Sequence, residues 1–155
     1  MRPLILYLLF TSLFIFSCND HLKIEKNNDI QGVADSQIVG TWKITEVVSD
    51  VPWDWDNNGS VETNIYSTWT SCQKDNLYTF VGDKTGTFKL NCSTTTTGSW
   101  QVINVHYLVY TPLNQGPETE EVVPLTMTSI QFKTALKLTL SNGQNATITK
   151  TWARQ

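Results

Sequence analysis

The sequence predicts an all-β protein built as an eight-stranded antiparallel up-and-down barrel. Beyond residue 36, apolar side chains recur with a period of two, as expected of strands that bury one face. No segment there shows the apolar stripe of an amphipathic helix. Short turn-forming sequences join the segments, and a closed barrel leaves no exposed sheet edge. A β-sandwich gives the same pattern and stays the alternative.

The predicted strands follow one another along the chain. They cover residues 38–48, 77–81, 85–91, 99–103, 105–111, 121–127, 130–140 and 146–152. The inward face of the first strand is expected to consist of Ile38, Trp42, Ile44 and Val48. That of the strand at 130–140 is expected to consist of Ile130, Phe132, Leu136, Leu138 and Leu140. Polar residues separate these positions, so each strand should have one side in the core and one in solvent.

The last two predicted strands are joined by a sequence with the turn signal Asn142-Gly143. A two-residue loop would split the apolar faces of the two strands. A three-residue loop at 141–143, with Gly143 left-handed, keeps the faces together, and register follows the hydrophobic face. The pairs that this loop creates are Leu138 with Ala146, Leu136 with Ile148 and Phe132 with Trp152.

The N-terminus carries the long apolar run of the chain, at residues 4–16, after Arg2 and before Ser17 and Cys18. This arrangement resembles a bacterial lipoprotein signal. The resemblance implies cleavage before Cys18 and acylation of its thiol and amine, with palmitate among the attached chains. A transmembrane helix is the alternative, but the run is shorter than the roughly 20 residues that span a bilayer.

Three segments follow from this interpretation. Residues 1–17 form the signal peptide, residues 18–36 a flexible polar tether from the lipidated cysteine, and residues 37–155 the β domain. The tether lacks aromatic residues and periodicity, as flexible linkers do. The protein is therefore expected in the cell envelope, anchored in the membrane by lipid. It would lie on the periplasmic face or on the outer surface of the outer membrane.

The lipid assignment also bears on the remaining cysteines. With Cys18 acylated, Cys72 and Cys92 are left in an oxidising compartment, where disulfides persist. A bridge between them would contribute roughly 3 kcal/mol in the chain-entropy model; two free thiols are the alternative. The histidines are His21 and His106, and no Cys/His cluster has zinc spacing.

Residues 54–62 match the opening of a calcium loop, in which oxygen ligands alternate and a glycine permits a sharp turn. The predicted ligands are Asp54, Asp56, Asn58, Ser60 and Glu62. The twelfth position of such a loop is Ile65 here, so Asp75 or water would have to complete the shell. The alternative is a surface turn without metal, since Asn, Asp and Gly favour turns.

Gly40-Thr41-Trp42 opens the first strand, Gly98-Ser99-Trp100 lies mid-domain, and Arg154 closes the last strand. In these features the domain resembles the lipocalin-like lipoproteins of Gram-negative bacteria. The resemblance implies that Trp42 packs under Arg154 and closes one end of the barrel. Arg154 is in phase with Trp152, and a guanidinium over an indole gains cation–π energy. The alternative for Arg154 is a frayed terminal charge in solvent.

The composition excludes some classes of function. The formal net charge is −3, from 11 basic and 14 acidic residues, without the clustered positive charge of nucleic-acid-binding proteins. No sequence motif of an enzyme is present, and no organic cofactor is expected. The leading hypothesis is a membrane-anchored barrel that binds a small apolar or amphipathic ligand. The alternative is a calcium-dependent accessory module that binds protein or glycan. Nothing in the sequence predicts the oligomeric state.

Overall fold

The computed structural model describes residues 32–123 and 126–155. The predicted signal peptide at 1–17, the predicted lipid-attachment residue Cys18 and the predicted tether as far as residue 31 lie outside the described residues. None of the helices in the described part of the chain has the length and hydropathy of a membrane-spanning helix.

Strands make up most of the domain. The helices are α1 (Asp35–Ile38), α2 (Ile65–Thr68) and α3 (Ser71–Lys74). The strands are β1 (Gly40–Trp53), β2 (Glu62–Asn64), β3 (Leu77–Phe80), β4 (Thr85–Lys89), β5 (Thr96–Ile103), β6 (Tyr107–Pro112), β7 (Glu118–Val122), β8 (Gln131–Thr139) and β9 (Asn145–Arg154).

The strands close into a barrel. Strands β3 to β9 pair antiparallel in chain order, β1 pairs with β3, and an additional β1–β9 pairing joins the two edges. The short strand β2 pairs only with the outer half of β1 and extends it beyond the barrel. The fold class is therefore confirmed as an eight-stranded antiparallel up-and-down barrel, and the β-sandwich alternative is excluded.

Aromatic side chains fill the middle of the barrel. Phe132 stacks on Trp152, with ring centroids 5.5 Å apart and planes 4° from parallel. Tyr78 meets the edge of Trp152 at 4.9 Å, and edge-to-face and stacked pairs of this kind add to the energy of burial. The buried aromatic residues are Trp42, Tyr78, Phe80, Phe88, Trp100, Tyr110, Phe132 and Trp152.

Strand β1 changes phase part-way along its length. A β-bulge lies between Ile44 and Glu46, where Thr45 has no partner on β9. Because one extra residue reverses the alternation of faces, Val47 is buried at 2% exposure while Val48 is only half-buried. The prediction that Val48 faces the core was therefore wrong.

The last hairpin has the predicted register. Strands β8 and β9 pair Leu138 with Ala146 and Leu136 with Ile148, and Phe132 lies opposite Trp152. Gly143 has a φ of 84°, the left-handed conformation that the three-residue loop requires. Local turn chemistry and the hydrophobic face together sufficed to predict this pairing.

Most strand boundaries differ from the prediction. Val33, which precedes the predicted domain start at residue 37, is also packed: it is 4% exposed and donates its N–H to the Val105 carbonyl. Val105 itself lies in the turn between β5 and β6 with a φ of 53°, outside the strand. Strand β7 begins at Glu118, three residues before the predicted start at 121.

Successive loops of an up-and-down barrel lie at alternate ends. The closed end contains α1, the β3–β4, β5–β6 and β7–β8 connections and the C-terminus. The open end contains residues 54–76 with α2 and α3, together with the β4–β5, β6–β7 and β8–β9 connections.

Candidate functional site

The closed end is sealed by Trp42 and Arg154. The Arg154 guanidinium carbon lies 4.3 Å from the centroid of the Trp42 ring, and Trp42 is fully buried. The Trp42 indole N–H donates to the Ile38 carbonyl at 2.6 Å. The structure thus brings together the two residues for which the resemblance implied barrel closure.

Arg154 also joins the segments that meet at this end. Its Nε donates to the Ser129 carbonyl at 2.7 Å and its Nη1 to the Val39 carbonyl at 2.9 Å. Gly40 follows Val39 with a φ of 139°, and a Cβ there would collide with the guanidinium. The glycine of the Gly-x-Trp motif therefore leaves space for Arg154.

The open end is held by a disulfide. Cys72 of α3 is bonded to Cys92 of the β4–β5 connection, as predicted. Helix α3 begins with a capping box in which Thr70 and Gln73 exchange hydrogen bonds. Asn76 follows the helix, and its side-chain oxygen accepts from the Asn91 N–H at 2.6 Å. The bridge and this bond fix residues 71–76 over one side of the barrel mouth.

A cleft of about 270 Å³ opens beside the disulfide-linked segments, and we call it the open-end cleft. Its apolar wall consists of Ile44, Trp69, Leu90 and Pro112. Its polar rim includes Gln73, Asn91, Gln115 and Glu118. Drug-sized ligands occupy pockets of about 300–1,000 Å³, so this cleft suits a smaller molecule.

The floor of the open-end cleft is a buried charge pair. Lys150 points into the barrel and forms an ion pair with Glu120, whose side chain is 2% exposed. Glu120 also accepts hydrogen bonds from the Tyr110 hydroxyl at 2.9 Å and from the Thr134 hydroxyl. Thr134 in turn accepts from the Trp152 indole N–H at 2.9 Å. A buried carboxylate is tolerated when it is paired and hydrogen-bonded in this way.

Two tyrosines beside this pair are held in the protonated form. Burial, opposed by a hydrogen bond with Asn76, raises the pKa of Tyr78 to about 12. Burial and the charge of Glu120 raise the pKa of Tyr110 well above its usual value. Both tyrosines therefore stay protonated to a higher pH than an ordinary tyrosine does.

The predicted site residues do not include this cluster. Lys150 is in phase with Ile148 and Trp152, and this phase places it inside the barrel, so the signal was present in the strand pattern. The sequence signal that Glu120 faces the interior was weaker. In β7, Val122 is the one apolar residue on the same face as Glu120, and the residues of β7 before Glu120 are polar. Its burial depends on Lys150, which lies 30 residues away in the sequence.

The predicted calcium loop brings together three of its five predicted ligands. One carboxylate oxygen from each of Asp54, Asp56 and Glu62 lies within 4.8 Å of the others. The loop's own backbone already donates to these groups: the Asn58 N–H to Asp54 at 2.9 Å, and the Trp55 N–H to Glu62 at 3.0 Å. Carboxylates at this separation fit a hard cation, and the same hydrogen bonds fit a self-supporting turn.

Asn58 and Ser60 belong to the same turn. The Asn58 side-chain oxygen accepts from the Ser60 N–H at 2.8 Å, and both residues are exposed. Asp75, suggested as a further ligand, forms an ion pair with Lys43 at 2.9 Å instead. The Lys43 ammonium lowers the pKa of Asp75 below its usual value.

Comparison with known proteins places the chain in a family. Residues 25–148 match the family model described as "Domain of unknown function (DUF5004)". The chain belongs to the DUF5004 family. No match to this DUF5004 protein was found among curated proteins.

Several solved structures are similar to this DUF5004 protein. One is a complex of bovine odorant binding protein with a selenium-containing odorant, with 11% identity, a TM-score of 0.43, and coverage of 79% of this chain and 73% of that chain. Another is odorant binding protein OBP1, with 13% identity, a TM-score of 0.44, and coverage of 80% and 75%. Similarity at this level carries no information about function.

Proposed function

We propose that this protein is a lipid-anchored, non-enzymatic binding protein of the cell envelope that takes a small amphipathic molecule in the open-end cleft. The observation that carries the proposal is the cleft itself, with an apolar wall on Ile44 and Leu90 above the Lys150–Glu120 pair. A site with apolar walls and a few fixed polar groups is the usual form of a small-molecule site.

The packing of the barrel favours the amphipathic ligand over a purely apolar one. Phe88, Trp100 and Phe132 are buried at 2% exposure or less, so the middle of the barrel is filled. The remaining space lies at the mouth, where polar and apolar residues both contribute. A ligand there keeps one side on Leu90 and the other on hydrogen-bonding groups.

Binding can be tested with octan-1-ol, a neutral amphipathic probe. Titration into isotopically labelled protein, followed by amide NMR shifts, should give saturable changes at residues 90–91 and 115. Leu90→Trp should weaken binding at least about tenfold, because the larger side chain fills the cleft and takes the space of the ligand. Lys89→Trp, at the exposed last residue of β4 and next to Leu90 in the chain, is the control and should bind normally. Equal binding by the two variants would contradict the location of the site.

The anchor part of the proposal rests on the sequence up to Cys18. Cys18→Ser removes the thiol that accepts lipid, so the protein should move from the membrane fraction to the soluble fraction and lose labelling by palmitate. More than one acyl chain is needed for stable anchoring, which is why the shift should be nearly complete. A variant that still sediments with membranes would contradict the anchor.

Calcium binding by the loop at residues 54–62 is a second candidate, and it would support the accessory-module alternative. The convergence of Asp54, Asp56 and Glu62 favours it. Millimolar calcium should then raise the melting temperature of the protein, and Asp54→Asn with Asp56→Asn should abolish the rise. No heat of binding and no change in melting temperature would exclude this candidate.

A further inference from the structure

The charges and donors on the floor of the open-end cleft select among amphipathic ligands. This step rests on the proposed function, because it concerns the molecule that the cleft would hold. The interior contributes one ammonium, on Lys150, and one carboxylate, on Glu120, which are paired with each other. The charge at the base of the cleft is therefore balanced before a ligand arrives.

The hydrogen-bond donors at the floor, unlike the charges, are not all matched by acceptors. The Lys150 ammonium has three N–H donors, and within residues 32–123 and 126–155 its hydrogen-bond partner is Glu120 alone. Lys150 lines the cleft and its side chain is 17% exposed, so donors remain for a ligand. Tyr78 also lines the cleft, and its hydroxyl stays protonated because burial raises its pKa. The floor thus offers donors to an oxygen acceptor.

Charged ligands are disfavoured there. A ligand carboxylate on Lys150 would lie close to the Glu120 carboxylate, with only one cation for two anions, and Glu118 on the rim adds a further negative charge. A ligand ammonium would bring a second cation to Lys150. Both arrangements leave a charge in a site of low dielectric constant without a partner of its own, which is costly.

We infer that the open-end cleft recognises a neutral amphipathic molecule through a carbonyl oxygen, which accepts hydrogen bonds from Lys150, while its apolar part lies on Ile44 and Leu90. Glu120 acts as a positioning residue. It holds the Lys150 ammonium at the floor and cancels its charge, so that neutral carbonyl compounds bind and carboxylates do not.

The test compares octanamide with octanoate, which have the same chain length and differ in charge. Wild-type protein should bind octanamide about tenfold more tightly than octanoate in calorimetric or NMR titration. Glu120→Gln leaves the Lys150 charge uncompensated, so the preference should reverse in favour of octanoate. Glu121→Gln is the matched control: it removes a carboxylate one residue away that is partly exposed and lies 4.0 Å from Lys137. It should keep the wild-type preference.

A second variant covers the case in which Glu120→Gln does not fold. Glu120→Gln combined with Lys150→Met leaves no unpaired charge inside the barrel. It should bind both probes weakly and with equal affinity, because the donor and the charge pair are both gone. Retention of the wild-type preference by this variant would overturn the inference.

The remaining outcomes separate the inference from the proposed function. Tighter binding of octanoate by wild type, or an unchanged preference in folded Glu120→Gln, would overturn the inference and leave the cleft as a binding site. Absence of saturable binding of octanamide and octanoate to wild-type protein that still binds octan-1-ol would overturn the inference alone, and absence of binding of all three probes would overturn the proposed function and the inference together.

Discussion

At the closed end of the barrel, non-covalent packing does the sealing: Trp42 is fully buried beneath Arg154, and Arg154 binds carbonyl groups of neighbouring segments. At the open end, a disulfide between Cys72 and Cys92 holds the loops, and a polar cleft remains beneath them. A covalent bond fixes loop positions without needing a packed interior between them. The difference shows how one end of a small barrel can stay open while the other is closed.

The largest effect is expected from truncation at the closed end. Trp42→Ala removes a fully buried indole and should lower the free energy of unfolding by about 3–5 kcal/mol. Trp69→Ala, at the half-buried wall of the cleft, is the matched variant and should cost clearly less. Denaturant unfolding measures both. Equal losses would remove the distinction between a packed end and an open end.

The disulfide provides the next effect. Cys72→Ser with Cys92→Ser should lower the free energy of unfolding by about 3 kcal/mol, because the bridge no longer restricts the unfolded chain. Hydrogen exchange should rise most at residues 71–76 and 90–95, by more than the general increase that the lower global stability causes around Trp42. Uniform acceleration at both ends would show that the bridge stabilises the whole barrel equally.

The buried tyrosine of the cleft predicts a loss of stability at alkaline pH. The pKa of Tyr78 is about 12 in the folded protein, against an ordinary tyrosine value of 10.0, so folding favours the protonated form. That contribution is complete below pH 10 and is lost as the pH rises towards 12. It amounts to about 2–3 kcal/mol. Unfolding measured between these two pH values should show a smaller decline in Tyr78→Phe, while Tyr107→Phe, at a more exposed site, should match the wild type.

The smallest of these effects concerns the arginine of the closed end. Arg154→Met removes its hydrogen bonds to backbone carbonyls and the contact with the Trp42 ring, and should cost about 2 kcal/mol. Arg154→Lys keeps the charge but loses the planar group and should recover only part of this energy. Full recovery by lysine would mean that charge alone closes this end.

The fold was predictable where the signals are local. The β8–β9 register follows from a turn at Asn142-Gly143 and two apolar faces that must coincide, so the pairs Leu136–Ile148 and Leu138–Ala146 came from neighbouring residues. The phase of β1 beyond Ile44 was not predictable in this way. Nothing in the sequence around Thr45 indicates that its partner strand lacks a matching residue.

The candidate site was harder to predict than the fold. A glutamate side chain is normally exposed to solvent. Glu120 is buried only because Lys150, Tyr110 and Thr134 form hydrogen bonds with it from other strands. That convergence depends on the closure of the barrel. Trp42 and Arg154 were predictable because they stand in a recognisable motif, whereas the cleft residues stand in none.

The bulge at Thr45 has a consequence for how this strand can change by insertion or deletion. Elsewhere in β1, loss of one residue exchanges the inner and outer faces of everything that follows. Loss of Thr45 instead restores regular alternation from Ile44 to Val47, so both residues keep facing the interior. A one-codon deletion should therefore be tolerated within the bulge, at Thr45 or at the equally exposed Glu46, and not in the regular parts of the strand. Within the pairing of β1 with β9, the bulge is the point at which the length of the strand can vary without reversing its inner and outer faces.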